Sequence, residues 1–143
     1  MISELSIWAA QDALMELLAE HEALDVGGAA EVALDLGFPA AIAEQHVWLM
    51  GDVDGSLTFD LTGTKPSEDT FRFKVFCFAT ADDYEAVREK VKALATAVED
   101  CLSSEDFAEV VPAWSVPTYR AESGTDGSRR QLCLEFTVEC RCW

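Results

Sequence analysis

Residues 1–64 contain no lysine and no arginine, the chain has no asparagine, and its two histidines, His21 and His46, belong to no recognisable motif. Each absence excludes something. Nucleic-acid binding rests on Lys and Arg displacing counterions from phosphates, so a cation-free half argues against specific nucleic-acid binding. Without Asn there is no glycosylation sequon and no Asn-capped turn. No apolar run approaches the ~20 residues that span a bilayer, so no membrane association is expected. Residues 1–18 lack a basic n-region, and Glu4, Asp12 and Glu16 interrupt their apolar stretch, so export is not expected either. The five cysteines, Cys77, Cys101, Cys133, Cys140 and Cys142, form an odd set without a C-x-x-C pair, which predicts reduced, structural thiols.

What is present specifies a core. The chain has 143 residues, half of them hydrophobic, with eight Phe and four Trp. A chain of this length can hide roughly 70% of its unfolded surface around one core, so a single α+β domain over residues 1–143 is expected. The net charge is −17, and the first 64 residues carry acids with no balancing cation. Such a field suits either a solubilising surface or a basic partner.

Local patterns give the elements. Leu5, Ile7, Trp8, Leu14, Met15 and Leu18 form the apolar side of a helix from about Ser3 to Glu20, with Glu4, Asp12, Glu16 and Glu20 opposite. Residues 24–45, punctuated by Gly27, Gly28, Gly37 and Pro39, suit a loop with at most one short strand. Val47–Met50 reads as a short buried strand and Gly51–Gly55 as a turn. Leu57, Phe59 and Leu61 then alternate with Thr58 and Asp60 in a hairpin or projecting arm, which ends in a breaker-rich loop through Gly63, Pro66, Ser67, Glu68 and Asp69.

Phe71, Phe73, Val75, Cys77 and Ala79 share one side of the next strand. Arg72 and Lys74 lie opposite, together with Phe76 and Phe78, so that side is covered for part of its length. Thr80-Ala81-Asp82-Asp83 opens a helix with Tyr84, Val87, Val91, Leu94, Val98 and Leu102 at helical spacing. A polar break at Ser103–Asp106 follows. Val110–Glu122 reads as an edge or bent strand because Pro112 and Pro117 cannot donate to a ladder. Gly124–Gly127 turns it onto a last strand in which Leu132, Leu134, Phe136, Val138, Cys140 and Cys142 alternate with polar partners. The fold class predicted is α+β: a mostly antiparallel sheet with an N-terminal helix and one long helix packed on one face.

The chemical candidates each have a structural explanation. Asp52-x-Asp54 resembles the start of a calcium loop, but Gly55 falls at the fourth position rather than the sixth, and a β-turn explains it. Cys140 and Cys142 place two thiols on one strand face beside Leu134, Phe136 and Val138, where core packing competes with a metal pair, and Cys133 points the other way. A metal-using enzyme built on these thiols is the weakest alternative. The acidic pairs Asp82-Asp83, Glu99-Asp100 and Glu105-Asp106 diverge on a helix surface. His21 and His46 suit the tail of a helix and the start of a strand. Ser103-Ser104 and the glycines form neither a nucleophile elbow nor a P-loop. No catalytic residue, cofactor or metal ligand is therefore assigned, and no enzyme is expected. Trp143, Trp48, Phe59 and Leu61 are the better candidates for contacts between chains, because aromatic anchors dominate interface energies. For Trp48, ordinary core packing competes equally.

The amphipathic first helix, the strand at His46-Val47-Trp48-Leu49-Met50-Gly51, the long strand Phe71–Ala79 running into Thr80-Ala81-Asp82-Asp83, the long helix, Val116-Pro117-Thr118-Tyr119-Arg120 and the alternating last strand together give a chain that resembles the tail terminator, or tail completion, proteins of long-tailed phages. The resemblance lies in element order and length over most of the chain. It implies a structural virion protein without enzymatic activity, located in the virion tail and in the host cytoplasm during assembly. It also implies a homo-oligomer, usually a six-copy ring, that caps the tail tube protein and presents its other side to the head-tail connector protein. In that frame the arm Gly51–Thr70, with Phe59, Leu61 and Lys65, is the candidate contact to a neighbour or the tube. Arg129 and Arg130 beside the last turn are candidates to meet acidic surface on the adjacent subunit. Six copies at −17 each would carry roughly −100, so the acids must face solvent or a channel through which DNA passes without sticking. The rival expectation is an acidic protein-binding module, of the inhibitor or immunity type, masking a basic partner.

Overall fold

In the computed structural model, which describes residues 5–24, 26, 32–50, 53–59 and 66–143, three helices cover one face of a six-stranded sheet. Chain order is α1 (Ser6–Glu20), β1 (Val32–Leu36), β2 (Gln45–Leu49), β3 (Asp54–Phe59), β4 (Pro66–Ala81), α2 (Tyr84–Leu102), α3 (Glu105–Val110), β5 (Ala113–Asp126) and β6 (Arg129–Cys142). The strands lie in the order β1-β2-β4-β6-β5, and β3 pairs with β4. Among the described strands, β1 and β2 pair in parallel and the other pairs are antiparallel, so the α+β class holds.

The sixteen-residue β4 is the spine. Along one side Asp69–Ala81 pairs with β6. Along the other, Val75–Ala79 pairs with β2 and Pro66–Arg72 with β3. Period-two alternation decides which side chains enter the core: Phe71, Phe73, Val75, Cys77 and Ala79 stand opposite Cys140, Val138, Phe136, Leu134 and Leu132. Helix α2 lays Val87, Val91, Leu94, Val98 and Leu102 on this surface, and α1 adds Ile7, Ala10, Leu14 and Leu18.

Helix starts follow from capping. The Ala86 N–H donates to Asp83 Oδ1 at 2.8 Å, and the Phe107 N–H donates to Ser104 Oγ at 3.2 Å. The second cap corrects the expected polar break: α3 begins at Glu105, buries Phe107 completely, and ends at Val110, where the sequence reading placed the start of a strand. Helix α1 begins at Ser6 with no side-chain cap from Leu5; the Ser6 N–H instead donates to Asp69 Oδ2 in β4, 2.8 Å away.

Other expectations shift. Residues 24–45 contain β1, held parallel to β2 with Val32 opposite Gln45. The strand expected from Phe71 begins at Pro66, because β3 supplies hydrogen-bond partners to its polar start. Tyr84, placed on the apolar stripe of α2, is exposed in its first turn. The last hairpin turns at Gly127-Ser128, not across Gly124–Gly127; Gly127 has φ 62°, the left-handed conformation that two-residue hairpin loops need. In β5, Val116 and Pro117 face the single residue Val138, a bulge that accommodates the proline on an edge strand as its sequence required. The readings placed on Ser3, Gly27, Gly28, Gly51, Asp52, Asp60 and Gly63 lie outside the described residues.

Candidate assembly surfaces

The sheet face opposite the helices carries a cross-strand ladder of ion pairs. Arg72 Nε reaches Glu139 Oε2 at 2.8 Å, Lys74 Nζ reaches Glu135 Oε1 at 2.7 Å, and Arg141 Nε reaches Glu68 Oε1 at 2.9 Å. The Arg141 hydrogen bond, with a second from Thr70, holds the Glu68 carboxyl below the usual range. A shallow cleft of about 570 Å³ lies on this face between β3 and β5, walled by Met50, Asp54, Arg72, Lys74, Thr118 and Glu135. Opposite charges facing across neighbouring strands neutralise the surface locally.

The excess negative charge sits elsewhere. Helices α1, α2 and α3 carry ten Asp and Glu residues against Arg88, Lys90 and Lys92. Among the described residues the helical layer is thus anionic, whereas the three cations Arg72, Lys74 and Arg141 of the open sheet face are each paired with a glutamate.

Toward the β1 edge the open face becomes aromatic. Trp48 stacks flat on Phe76, with centroids 5.1 Å apart, and Phe38 meets Trp48 edge-on at 6.0 Å. Trp48 is thus buried inside its own chain, and the core reading of this residue is the correct one. Phe38 remains 70% exposed. His46 lies beside Trp48, fully buried. Its Nδ1 accepts from the Ala43 N–H at 3.0 Å, so Nε2 carries the hydrogen that it donates to Asp35 Oδ2 at 2.6 Å. Sequence reasoning missed this pair, because Asp35 and His46 come together only through the parallel β1–β2 register. It fastens the 37–44 connection to the sheet.

The thiols are embedded. Cys140 and Cys142 both enter the core, and Cys142 Sγ donates to the Val110 carbonyl at 3.4 Å. Burial pushes Cys101 and Cys133 up to about 11 and Cys140 to about 12, each assisted by neighbouring acids. Burial thus raises the cost of forming a thiolate at these positions. Among the described residues no three His, Cys, Asp or Glu side chains converge as a metal cage.

Of the residues singled out for assembly, Phe59 sits at the end of β3, opposite Pro66 and 43% exposed. Leu61 and Lys65 lie outside the described residues. Arg129 Nη1 reaches Glu44 Oε1 of the same chain at 2.6 Å, while Arg130, beside it, is exposed and makes no ion pair among the described residues. The structure does not bring Phe59 and these arginines together. Arg130 pairs with Ala81 at one end of β4, and Phe59 with Pro66 at the other. Trp143 is exposed beneath the Arg141 guanidinium, 6.0 Å from its ring centroid.

The patch that sequence reasoning overlooked is the β5 edge. Tyr119 is 78% exposed and Val116 lies beside it. Both border a groove of about 470 Å³ between α2 and the β5–β6 hairpin, floored by Leu134 and Phe136 and closed by Leu102 and Trp114. The signal was present in part: Val116 and Tyr119 flank Pro117 in a strand already read as an edge.

No protein-family model matches the chain, and no curated protein is significantly similar to it. A solved chain from the virion of a native gene transfer agent particle matches with a TM-score of 0.55 and 22% identity, over 92% of this chain and 94% of that one. At that identity the likeness is one of fold.

Proposed function

We propose that the chain is a structural subunit of a phage-like virion, and within it a tail terminator that closes into a ring through surface contacts, capping the tail tube and presenting its other side to the head-tail connector.

 The observation that carries this reading is the fold match, nearly full length on both sides, to a chain that is itself part of a virion. Two features support it. The open sheet face is neutralised by its own ion pairs, which lowers the cost of covering it with another protein. Large apolar side chains are exposed at both edges of the sheet and on the arm, where aromatic anchors serve association.

In this reading the arm formed by β3 and the start of β4 touches a neighbouring subunit or the tube protein through Phe59, Leu61 and Lys65. Arg130, with Arg129 already held by Glu44, offers its charge to acidic surface on the next copy. The anionic helical layer faces solvent or the channel, where it would let DNA pass without binding. The test is the mass and shape of the purified protein, by light scattering and negative-stain electron microscopy. Closed rings that cap tail tubes are expected, and a chain that stays single at high concentration with tubes present would overturn the reading. Replacing Phe59 and Leu61 by Ser should abolish ring formation or tube capping while leaving the monomer folded by circular dichroism.

The net charge of −17 also favours a second reading, an acidic module that masks a basic protein. A stable monomer that captures a basic partner stoichiometrically, and never rings, would select it.

A further inference from the structure

We infer that His46 is a pH-sensitive latch at the β1–β2 end of the sheet: the neutral ring holds the 37–44 connection through Nδ1, and a proton taken up at Nδ1 releases Ala43 and loosens the apolar segment before it. The latch belongs to the single chain and stands or falls apart from the ring reading above.

The hydrogen bonds around the ring decide where an added proton must go. His46 is 1% exposed, and both of its ring nitrogens are engaged. The Ala43 N–H donates to Nδ1 at 3.0 Å, and Nε2 carries the hydrogen given to Asp35 Oδ2 at 2.6 Å. A second ring proton enters only at Nδ1, where one N–H would then face another. The Ala43 N–H loses its acceptor, whereas the Nε2 bond to Asp35 becomes charge-assisted and tightens. Protonation therefore opens one side of the ring while holding the other to β1.

The neighbouring charges admit a cation here. Asp35 of β1, about half exposed, is the carboxylate against the ring. Trp48 meets the ring edge-on at 5.4 Å and Phe78 stands opposite on β4, and neither carries charge. Beyond Phe78 lies Cys133 of β6, a thiol whose pKa burial pushes up. Glu44 is engaged by Arg129 at 2.6 Å, and residues 1–64 contain no Lys or Arg to repel a charged imidazole. The cost of the cation thus falls on the Ala43 bond. Both ends of the connection are fixed by backbone bonds that do not titrate: the Gly37 N–H donates to the Leu49 carbonyl at 2.6 Å, and the Thr80 N–H donates to the Glu44 carbonyl at 2.9 Å. The stretch freed lies between them and carries the exposed Phe38 and Ile42.

The test is nitrogen NMR of the full chain with labelled imidazoles, followed together with amide exchange from about pH 8 to about pH 5, the range in which imidazole ordinarily charges. At the alkaline end His46 should show a hydrogen on Nε2 and a bare Nδ1. As Nδ1 takes up its proton, protection of the Ala43 amide, corrected for the intrinsic pH dependence of exchange, should fall roughly tenfold or more with the same midpoint, while Val75 and Cys77 in β4 keep theirs. His46→Asn, whose Oδ1 accepts from an N–H and does not titrate, should hold Ala43 protection constant over this range. His21→Asn, which removes the other histidine, should leave the wild-type response intact. Protonation of Nδ1 with Ala43 still protected, a ring that stays neutral to the acid end, or loosening that persists in folded His46→Asn would each overturn the latch. If His46→Asn does not fold, the two wild-type midpoints decide: coincidence supports the latch, and separation overturns it.

Discussion

Asp69 joins the sheet to the first helix through one carboxylate. Helix α1 has Leu5 where a capping side chain would stand, and Asp69 Oδ2 takes that role from β4 by accepting the Ser6 N–H. Asp69→Ala should cost about 1–2 kcal/mol in urea unfolding, the usual loss for a helix cap, whereas Asp69→Asn, which keeps an acceptor oxygen, should cost less. The thiols give a second expectation at this scale. Cys101 and Cys133 ionise near 11 and Cys140 near 12 in the fold, against an ordinary value of 9.0. The folded state therefore holds these protons more tightly than the unfolded chain does. Their contribution to stability is fully present below pH 9 and is lost as pH rises through 11. Urea midpoints measured from pH 8 to 11 should fall, and a Cys140→Ala variant should fall less steeply over the same interval.

At the scale of elements, β4 is set by its partners as much as by its own residues. Its first five residues are polar or breaker-type and read as loop, yet they pair with β3 on one side, and Asp69 and Thr70 also pair with β6 on the other. Gly55 allows the β3 contact, because a Cβ there would fall 2.5 Å from the Thr70 carbonyl oxygen and 2.9 Å from Phe71 Cβ. Gly55→Ala should loosen the arm locally, raising amide exchange at Leu57 and Thr58 roughly tenfold or more while α2 and β6 keep their protection. Helix α3 shows the opposite lesson. Its start was legible in principle, since Ser104 stands three residues before Phe107 in a capping pattern, but six residues are too few for periodicity to announce a helix.

For the molecule as a whole, charge opposes assembly and its placement determines how strongly. Ten acids on the three helices leave that layer anionic, while the opposite face pairs its charges strand by strand. If rings form with helical layers near one another, added salt should strengthen association by screening like charges over a Debye length of ~10 Å at 0.1 M. Sedimentation at rising salt measures this directly. Weakening with salt would instead mean that ion pairs between copies, such as those offered by Arg88, Lys92 or Arg130, dominate the contact.

The alternation of Phe71–Ala79 and Leu132–Cys142, the helical spacing of Val87–Leu102 and the prolines of β5 were enough to determine a sheet backed by a long helix, because local periodicity fixes which side chains share a face. Tertiary structure alone decided the rest. It placed Asp35 against His46, Asp69 under α1, Arg129 on Glu44 and Trp48 inside rather than outside. It also decided that apolar surface remains at two opposite edges of the sheet. Each of these depends on strand register between segments distant in sequence, and no local pattern encodes which residue a neighbouring strand will bring alongside.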